Sequence, residues 1–440
     1  MSSVIDPSSD LPELESPYEG KRISAKTHLR MSSYWFGSNF IWGSFLGPVL
    51  SSQMTHLAPQ NSAAMLGILY SFGAVPALVV PLIAGPLSDR CTHSLGRRRP
   101  YLFGGGLLGT LGILFMALAY HLQSIPLYFT GYFTIQIGAN VALASYSGLI
   151  PDLVPKNQRG VSSGYMAVMS QLGTLAGAII SSILIAQGHH RLLFLVMGIV
   201  FFLFVVLSMS IREQRLPGPV HRFAWVPYLK SLWIDPRKYP DFAWVWITRF
   251  LMMLGFYSIQ PYLLYFLRDV IHVRNPAGSV GIVLGLILIA ATLSGYFGGA
   301  ISDRTGRKPV VIWASLTIAV MCIVLVYCRN LEQALIGGVI FGLGYGAYIS
   351  VDWALGTDVL PNKKDAGKDM AVWHVSMTLP QQCGPLVAGL ILNFNKSGHI
   401  LDDGKSIATY GWIGYFIVFL FAAICFTLSG VLVRQVRGAR

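Results

Sequence analysis

Charge is what this chain has least of. Asp, Glu, Lys and Arg make up 12% of its 440 residues, where a soluble domain carries about 25%. So little charge cannot dress the surface of a water-soluble enzyme. Acids are the scarcer sign, 19 against 32 Lys and Arg. The five cysteines (Cys91, Cys322, Cys328, Cys383, Cys425) show no Cys-x-x-Cys spacing. Four lie in or at the ends of apolar segments, so they read as small packing residues and not as a disulfide or zinc framework. His189 and His190 are adjacent but lack further ligands, which excludes a metal centre there. No Gly-x-x-x-x-Gly-Lys loop is present, so ATP is not the expected energy source. Gly104-x-Gly106-x-x-Gly109 matches the dinucleotide fingerprint in letters only, because no strand precedes it and it lies inside an apolar run. Neither a cofactor nor an enzymatic activity is expected.

Apolar residues fill 54% of the chain. They gather in runs near 20 residues, long enough to cross a roughly 30 Å hydrocarbon layer as a helix. Twelve runs can be read, at about 34–55, 64–88, 101–121, 125–150, 160–186, 191–211, 242–268, 278–302, 309–328, 332–358, 369–393 and 410–433. Backbone amides in lipid must be bonded internally. The expected fold class is therefore an all-α polytopic membrane protein with twelve transmembrane helices. Gly160/Gly164, Gly173/Gly177, Gly281/Gly285 and Gly295/Gly299 have the small-xxx-small spacing of closely packed spans.

The net charge of +13 has a topological origin. Lys21, Arg22, Lys26, Arg30, Arg90, Arg97–Arg99, Lys156, Arg159, the basic residues between 212 and 238, Arg304, Arg307, Lys308, Lys363, Lys364, Lys368 and the tail arginines occupy alternate loops. The positive-inside rule puts those loops and both termini in the cytoplasm, with the protein in a plasma or inner membrane. No nucleic-acid partner is implied. Residues 1–30 are polar, with Pro7, Pro12 and Pro17, and read as a disordered cytoplasmic tail without a cleavable signal. A six-helix bundle is expected over 31–211, a basic cytoplasmic linker over 212–241, and a second bundle over 242–440.

Two loops repeat. The first runs Gly85-Pro-Leu-Ser-Asp89-Arg90-Cys-Thr-His-Ser-Leu-Gly96-Arg97-Arg98-Arg99-Pro100, and the second Gly299-Ala-Ile-Ser-Asp303-Arg304-Thr-Gly306-Arg307-Lys308-Pro309. Each joins two apolar runs, so the chain is a duplicated construction. Asp152 before Pro155 and Asp358 before Pro361 stand at equivalent places after the fourth and tenth runs. The repeated Gly-x-x-x-Asp-Arg followed by Gly-Arg-Arg/Lys resembles the signature loop of the major facilitator superfamily. The ending Gly-Arg-Arg-Arg-Pro resembles the sucrose/proton symporters of plants, their animal relatives and a related bacterial group. The resemblance implies two pseudo-symmetric six-helix bundles working by alternating access. It also implies a gating latch built from Gly85, Asp89, Arg90, Arg97, Asp303, Arg304, Arg307 and Asp358. Asp152 resembles the aspartate that takes the coupling proton in those symporters, with Arg159 assisting, though the two are spaced more closely here.

Further polar residues sit inside apolar runs, where they are costly and face a cavity or a partner. Asn39 and Trp42 share a face of the first helix with Trp35, and Gln136 and Asn140 lie on the fourth. Arg249, Tyr257 and Gln260 lie on the seventh, Tyr348, Asp352 and Trp353 on the tenth, and His374 on the eleventh. Asp352 reads either as a salt-bridge partner of Arg249 or as a titrating proton carrier, and the two are compatible. His374 reads as a hydrogen-bonded wall residue or a relay. Neutral donors with aromatic platforms suit a sugar. The expected function is proton-coupled uptake of a sugar, a disaccharide such as sucrose or maltose, with small-molecule substrate, protons and the bilayer as partners. Export of amphipathic compounds and a scaffold role on a transporter fold are the alternatives.

Overall fold

The computed structural model describes residues 16–211, 213, 224–361, 366–402 and 404–437. The expected linker therefore lies partly outside the described residues, as do Lys363, Lys364 and the first half of the expected tail. Twelve long helices are present: α1 (Ala25–Ser44), α2 (Ser62–Asp89), α3 (Arg99–Leu122), α4 (Ile125–Ser147), α5 (Arg159–Ala186), α6 (His190–Ser208), α7 (Pro240–Asp269), α8 (Pro276–Thr305), α9 (Arg307–Val326), α10 (Leu331–Asp358), α11 (Ala366–Phe394) and α12 (Trp412–Leu432). Among the described residues, ten helices are long and apolar enough to cross a membrane. The exceptions are α1 and α4, which carry Asn39, Gln136, Asn140 and several serines. α1 continues through a π-helical turn, Phe45–Val49, into Leu50–Leu57. Pro48 removes a backbone donor there, and Gly47 leaves helical geometry.

The run expected to reach about residue 150 is helical through Ser147, turns at Gly148 and resumes as a short helix, Leu149–Leu153. Residues 25–30, read from the sequence as tail, form the first turns of α1. The segment before them is also ordered. Ser16 Oγ donates to Leu153 O at 2.6 Å, and the Gln158 amide binds both Ile23 N and Lys21 O. A short helix, Trp225–Ser231, stands within the linker region.

Packing divides the chain into two compact units. The first comprises residues through Ser44, Val75–Gly177 and His189–Ser231; the second comprises Phe45–Ala74, Ala178–Gly188 and the chain from Leu232 onward. In the first unit, α3 and α4 touch backbone to backbone. A Cβ on Gly105 would lie 2.6 Å from Ala142 N and Gly138 O, and one on Gly112 would lie 2.6 Å from Ile135 N. Gly173 and Gly177 lie hard against the carbonyls of Phe36 and Phe40 on α1, and Gly281 packs on Ser182 in the second unit. Gly160, Gly164 and Gly299 face open space, so the close contact expected from their spacing is absent there, and Gly85 is equally open.

The second unit carries the only sheet among the described residues. β1 (Lys396–Asp402) pairs antiparallel with β2 (Lys405–Tyr410), turning through Gly404 at φ 73°. The hairpin clasps the turn before α2: Ala408 N donates to Pro59 O at 2.9 Å, Gln60 Nε2 to Ser406 O at 2.7 Å, and Lys396 Nζ to Asn61 Oδ1 at 2.6 Å. Tyr410 Oη accepts from Ala63 N at 2.9 Å and lies 3.0 Å from Ser62 Oγ, so it satisfies a free amide of the first turn of α2. Tyr262 Oη, from α7, reaches Ala63 O and Pro385 O of α11. Tyr410→Phe removes a buried acceptor and is expected to cost about 1–2 kcal/mol. A thermal melt in detergent checks this; an unchanged midpoint contradicts the clasp.

Candidate functional site

The first repeated loop is built around buried charge. Gly96 has φ 113° and Gly306 has φ 89°, a left-handed turn that lets each copy leave its helix and re-enter the next. After the first turn, the guanidinium of Arg98 enters the notch left by Gly148, where a Cβ would overlap it. It binds Asp89 at 2.8 Å and Asp152 at 2.6 Å. Arg97 meets Asp152 at 2.5 Å and Glu213 at 3.8 Å. Glu213 also accepts from Arg98 N at 2.9 Å and Arg99 N at 3.4 Å, capping the start of α3 from the far end of α6. Burial pushes the Glu213 carboxyl above the usual carboxylate range, against the pull of Arg98 and Arg97. Burial alone would lower the Arg98 guanidinium, but Asp89, Asp152 and Glu213 together hold it above its ordinary value.

The second copy repeats the central contact. Arg307 meets Asp358 at 2.5 Å, as Arg97 meets Asp152. In both repeats the arginine after the left-handed glycine finds the aspartate closing the fourth or tenth helix. Of the remaining loop residues, Asp303 and Arg304 are exposed, and Arg90 is half-buried with its amide on Leu87 O. Arg159, given an assisting role beside Asp152 by the resemblance, sends Nε to Val154 O at 3.2 Å, and Asp152 makes ion pairs with Arg97 and Arg98.

Within the first unit, α4 holds a chain of neutral polar groups. Asn140 Nδ2 donates to Gln136 O at 2.8 Å and to Gln136 Oε1 at 3.2 Å, and Gln136 Nε2 donates to Tyr132 Oη at 2.9 Å. The i, i+4 spacing stacks all three on one face. On α1, Asn39 donates to Trp35 O at 2.9 Å and accepts from Thr174 Oγ1 at 3.4 Å; Trp42 is half-buried one turn on.

Within the second unit, α7, α10 and α11 converge on an ion pair. Arg249 Nη1 lies 3.0 Å from Asp352 Oδ2, and both side chains are about 95% buried, at 5% exposure each. Tyr348 Oη donates to Asp352 Oδ1 at 3.1 Å from one turn earlier. Arg249 Nη2 reaches Met377 Sδ at 3.5 Å, and its Cζ sits 3.3 Å from the centroid of the Trp373 ring. Trp353 is exposed and meets Trp373 edge to face, with centroids 5.2 Å apart. Tyr257 is buried on α7, and His374 presents open surface on α11. Gln260 stands apart from them, lining a small apolar cavity with Phe256, Phe266, Phe341 and Phe419.

Arg98, Glu213, Trp373 and Met377 are given no site role by the sequence reading. Arg98 lay in plain sight within the basic triplet, and Glu213 is an isolated acid at the end of a membrane helix. Trp373 and Met377 are ordinary apolar residues until Arg249 is placed beside them. Among the described residues, no group of three or more His, Cys, Asp or Glu is arranged to hold a metal.

The family model described as Major Facilitator Superfamily matches residues 33–364 and 245–439. The chain is similar to the multi-drug resistance efflux pump PmrA of Streptococcus pneumoniae serotype 4, 25% identical over 422 residues, with 92% of this chain and 95% of that protein covered. It is 23% identical over 171 residues to sucrose transport protein SUC4 of Arabidopsis thaliana, covering 36% of this chain and 33% of that protein. Among solved structures, the nucleoside transporter NupG superposes with a TM-score of 0.66 at 13% identity, covering 93% of this chain and 98% of that one. The D-xylose-proton symporter does so with a TM-score of 0.65 at 17% identity, covering 94% and 97%.

Proposed function

Because this chain belongs to the Major Facilitator Superfamily, a family of membrane transporters, we propose that it is a proton-coupled symporter of a neutral, ring-bearing polyol, a sugar of disaccharide size such as sucrose or maltose. The observation that carries the coupling is the buried Arg249–Asp352 pair with Tyr348 on the carboxylate. A carboxylate so enclosed must be neutralised either by its arginine or by a proton. Exchange between the two states is a two-state element that transport can use. Asp352 is the proton carrier in this reading. Asp152, held by two arginines outside the membrane helices, acts in gating with Asp89, Arg97, Arg98 and Glu213. The Arg307–Asp358 contact is its counterpart in the second repeat.

The sugar reading draws on the amides of Asn39, Gln136 and Asn140, neutral donors and acceptors for hydroxyls, and on Trp42 and Trp353 as platforms. The partial likeness to a sucrose transport protein supports it. Both termini face the cytoplasm of a plasma or inner membrane, and transport proceeds by alternating access. The second reading is export of amphipathic compounds, favoured by the near full-length likeness to an efflux pump.

The test is accumulation of labelled sucrose and maltose in proteoliposomes under a pH gradient, with an uncoupler control and a parallel assay of ethidium extrusion. Accumulation that the uncoupler collapses supports the sugar symporter. Extrusion of the dye without sugar uptake overturns that assignment in favour of the exporter.

A further inference from the structure

Trp373 stands between the ion pair and a notch in α10. It is fully buried on α11, and its indole lies face-on to Arg249 of α7. Its other flank fits a notch in α10: a Cβ on Gly356 would lie 2.7 Å from Cε2 and Nε1 of the ring. Gly356 is one turn beyond Asp352, as Tyr348 is one turn before it, so one face of α10 presents hydroxyl, carboxylate and notch in register. Met377, one turn along α11, receives the remaining amino group of Arg249. Three helices thus fix one guanidinium: α10 holds the indole, the indole holds its plane, and Met377 one of its edges.

We propose that Trp373, seated by Gly356, is a positioning residue that holds the Arg249 cation in place when Asp352 takes up its proton. The inference rests on the coupling role given above to Asp352. The ring face attracts a cation most when the cation has lost its anion and sits in a dry surround. While Asp352 is ionised, Arg249 has a counter-ion and the indole adds little. Once Asp352 is protonated, the ring and Met377 are what remain to Arg249. Trp373 therefore favours the protonated state, and its loss makes proton loading harder.

The groups that could compete are few. Arg249 from α7 and Tyr348 from α10 itself meet the carboxylate; Tyr257 of α7, Tyr345 of α10 and the exposed His374 of α11 lie within electrostatic reach of Arg249, and Asp369 is buried one turn before Trp373. α8 and α9 meet the glycines of α10 with Ala291, Ser294, Ala314 and Ile318, which carry no charge.

The experiment measures the pH profile of gradient-driven accumulation for wild type, Trp373→Leu, Trp373→Phe, Gly356→Ala and Asp352→Asn, each first shown to be folded by size-exclusion chromatography. Trp373→Leu is expected to move the profile about one pH unit to the acid side. Gly356→Ala, which displaces the ring from another helix, should move it the same way, and Trp373→Phe should restore most of the shift. A merely structural role would lower the amount of folded protein without moving the profile. If Asp352→Asn still accumulates substrate, the coupling reading itself fails. If Asp352→Asn is inactive but the profiles of folded Trp373→Leu and Gly356→Ala coincide with wild type, only the role of Trp373 is overturned.

Discussion

Asp352→Asn is expected to abolish accumulation while leaving exchange of substrate across the membrane. A pH gradient of one unit supports about tenfold accumulation when one proton moves with each solute, since one unit is ~1.36 kcal/mol. Without a titrating carboxyl the ratio should fall to about one. Asparagine keeps the size and an acceptor for Tyr348, so the exchange step retains its packing. Arg249→Leu should instead damage folding. It leaves a carboxylate buried without a cation, and breaking one side of a buried pair costs about 3–5 kcal/mol. Combining Arg249→Leu with Asp352→Asn removes both charges and should recover most of that stability, yet still give no accumulation. Counterflow and accumulation assays on the single variants, with melts of all three, check the set. Full accumulation by Asp352→Asn contradicts it.

Gly105→Val is expected to be among the most damaging substitutions in the chain, and Gly104→Val one of the mildest. The two glycines are adjacent in sequence and point about 100° apart around α3. A Cβ on Gly105 would lie 2.6 Å from the backbone of α4, where nothing can yield, whereas no atom lies within 4 Å of one on Gly104. Overpacking of this kind costs about 3 kcal/mol or more, because the helices must separate along their length. Fluorescence-detected size exclusion should show aggregated Gly105→Val and a wild-type profile for Gly104→Val. Equal behaviour of the two would mean that α3 and α4 do not cross there.

The contrast between these glycines shows what sequence can carry. Apolar runs near 20 residues announce the helices because lipid leaves the backbone no other structure. The duplicated loop announces the repeat, and Arg97–Asp152 and Arg307–Asp358 meet in matching fashion. The charges inside helices were legible because charge in a membrane is expensive, and Arg249 and Asp352 indeed find each other. Which glycine faces a neighbour was not legible, since spacing fixes a face but not what stands opposite. Gly160 and Gly164 have the right spacing and meet nothing. Trp373 carried no readable role for the same reason, as an apolar residue acquires its role from a cation on another helix. The β-hairpin had a readable signal, an Asp-Asp-Gly turn between short alternating runs, hidden by being placed between two strong membrane helices. Arg97 and Arg98 both meet Asp152, Arg98 through the Gly148 notch, and nothing in the spacing of the loop announces that contact.

The central claim is that a proton moves with the solute through Asp352. The most direct measurement is the pH inside proteoliposomes loaded with pyranine when sucrose or maltose is added outside, with no pH gradient imposed. The account predicts that wild type acidifies the lumen as sugar enters, and that Asp352→Asn does not. Sugar entry without acidification in wild type, or equal acidification in Asp352→Asn, would contradict it.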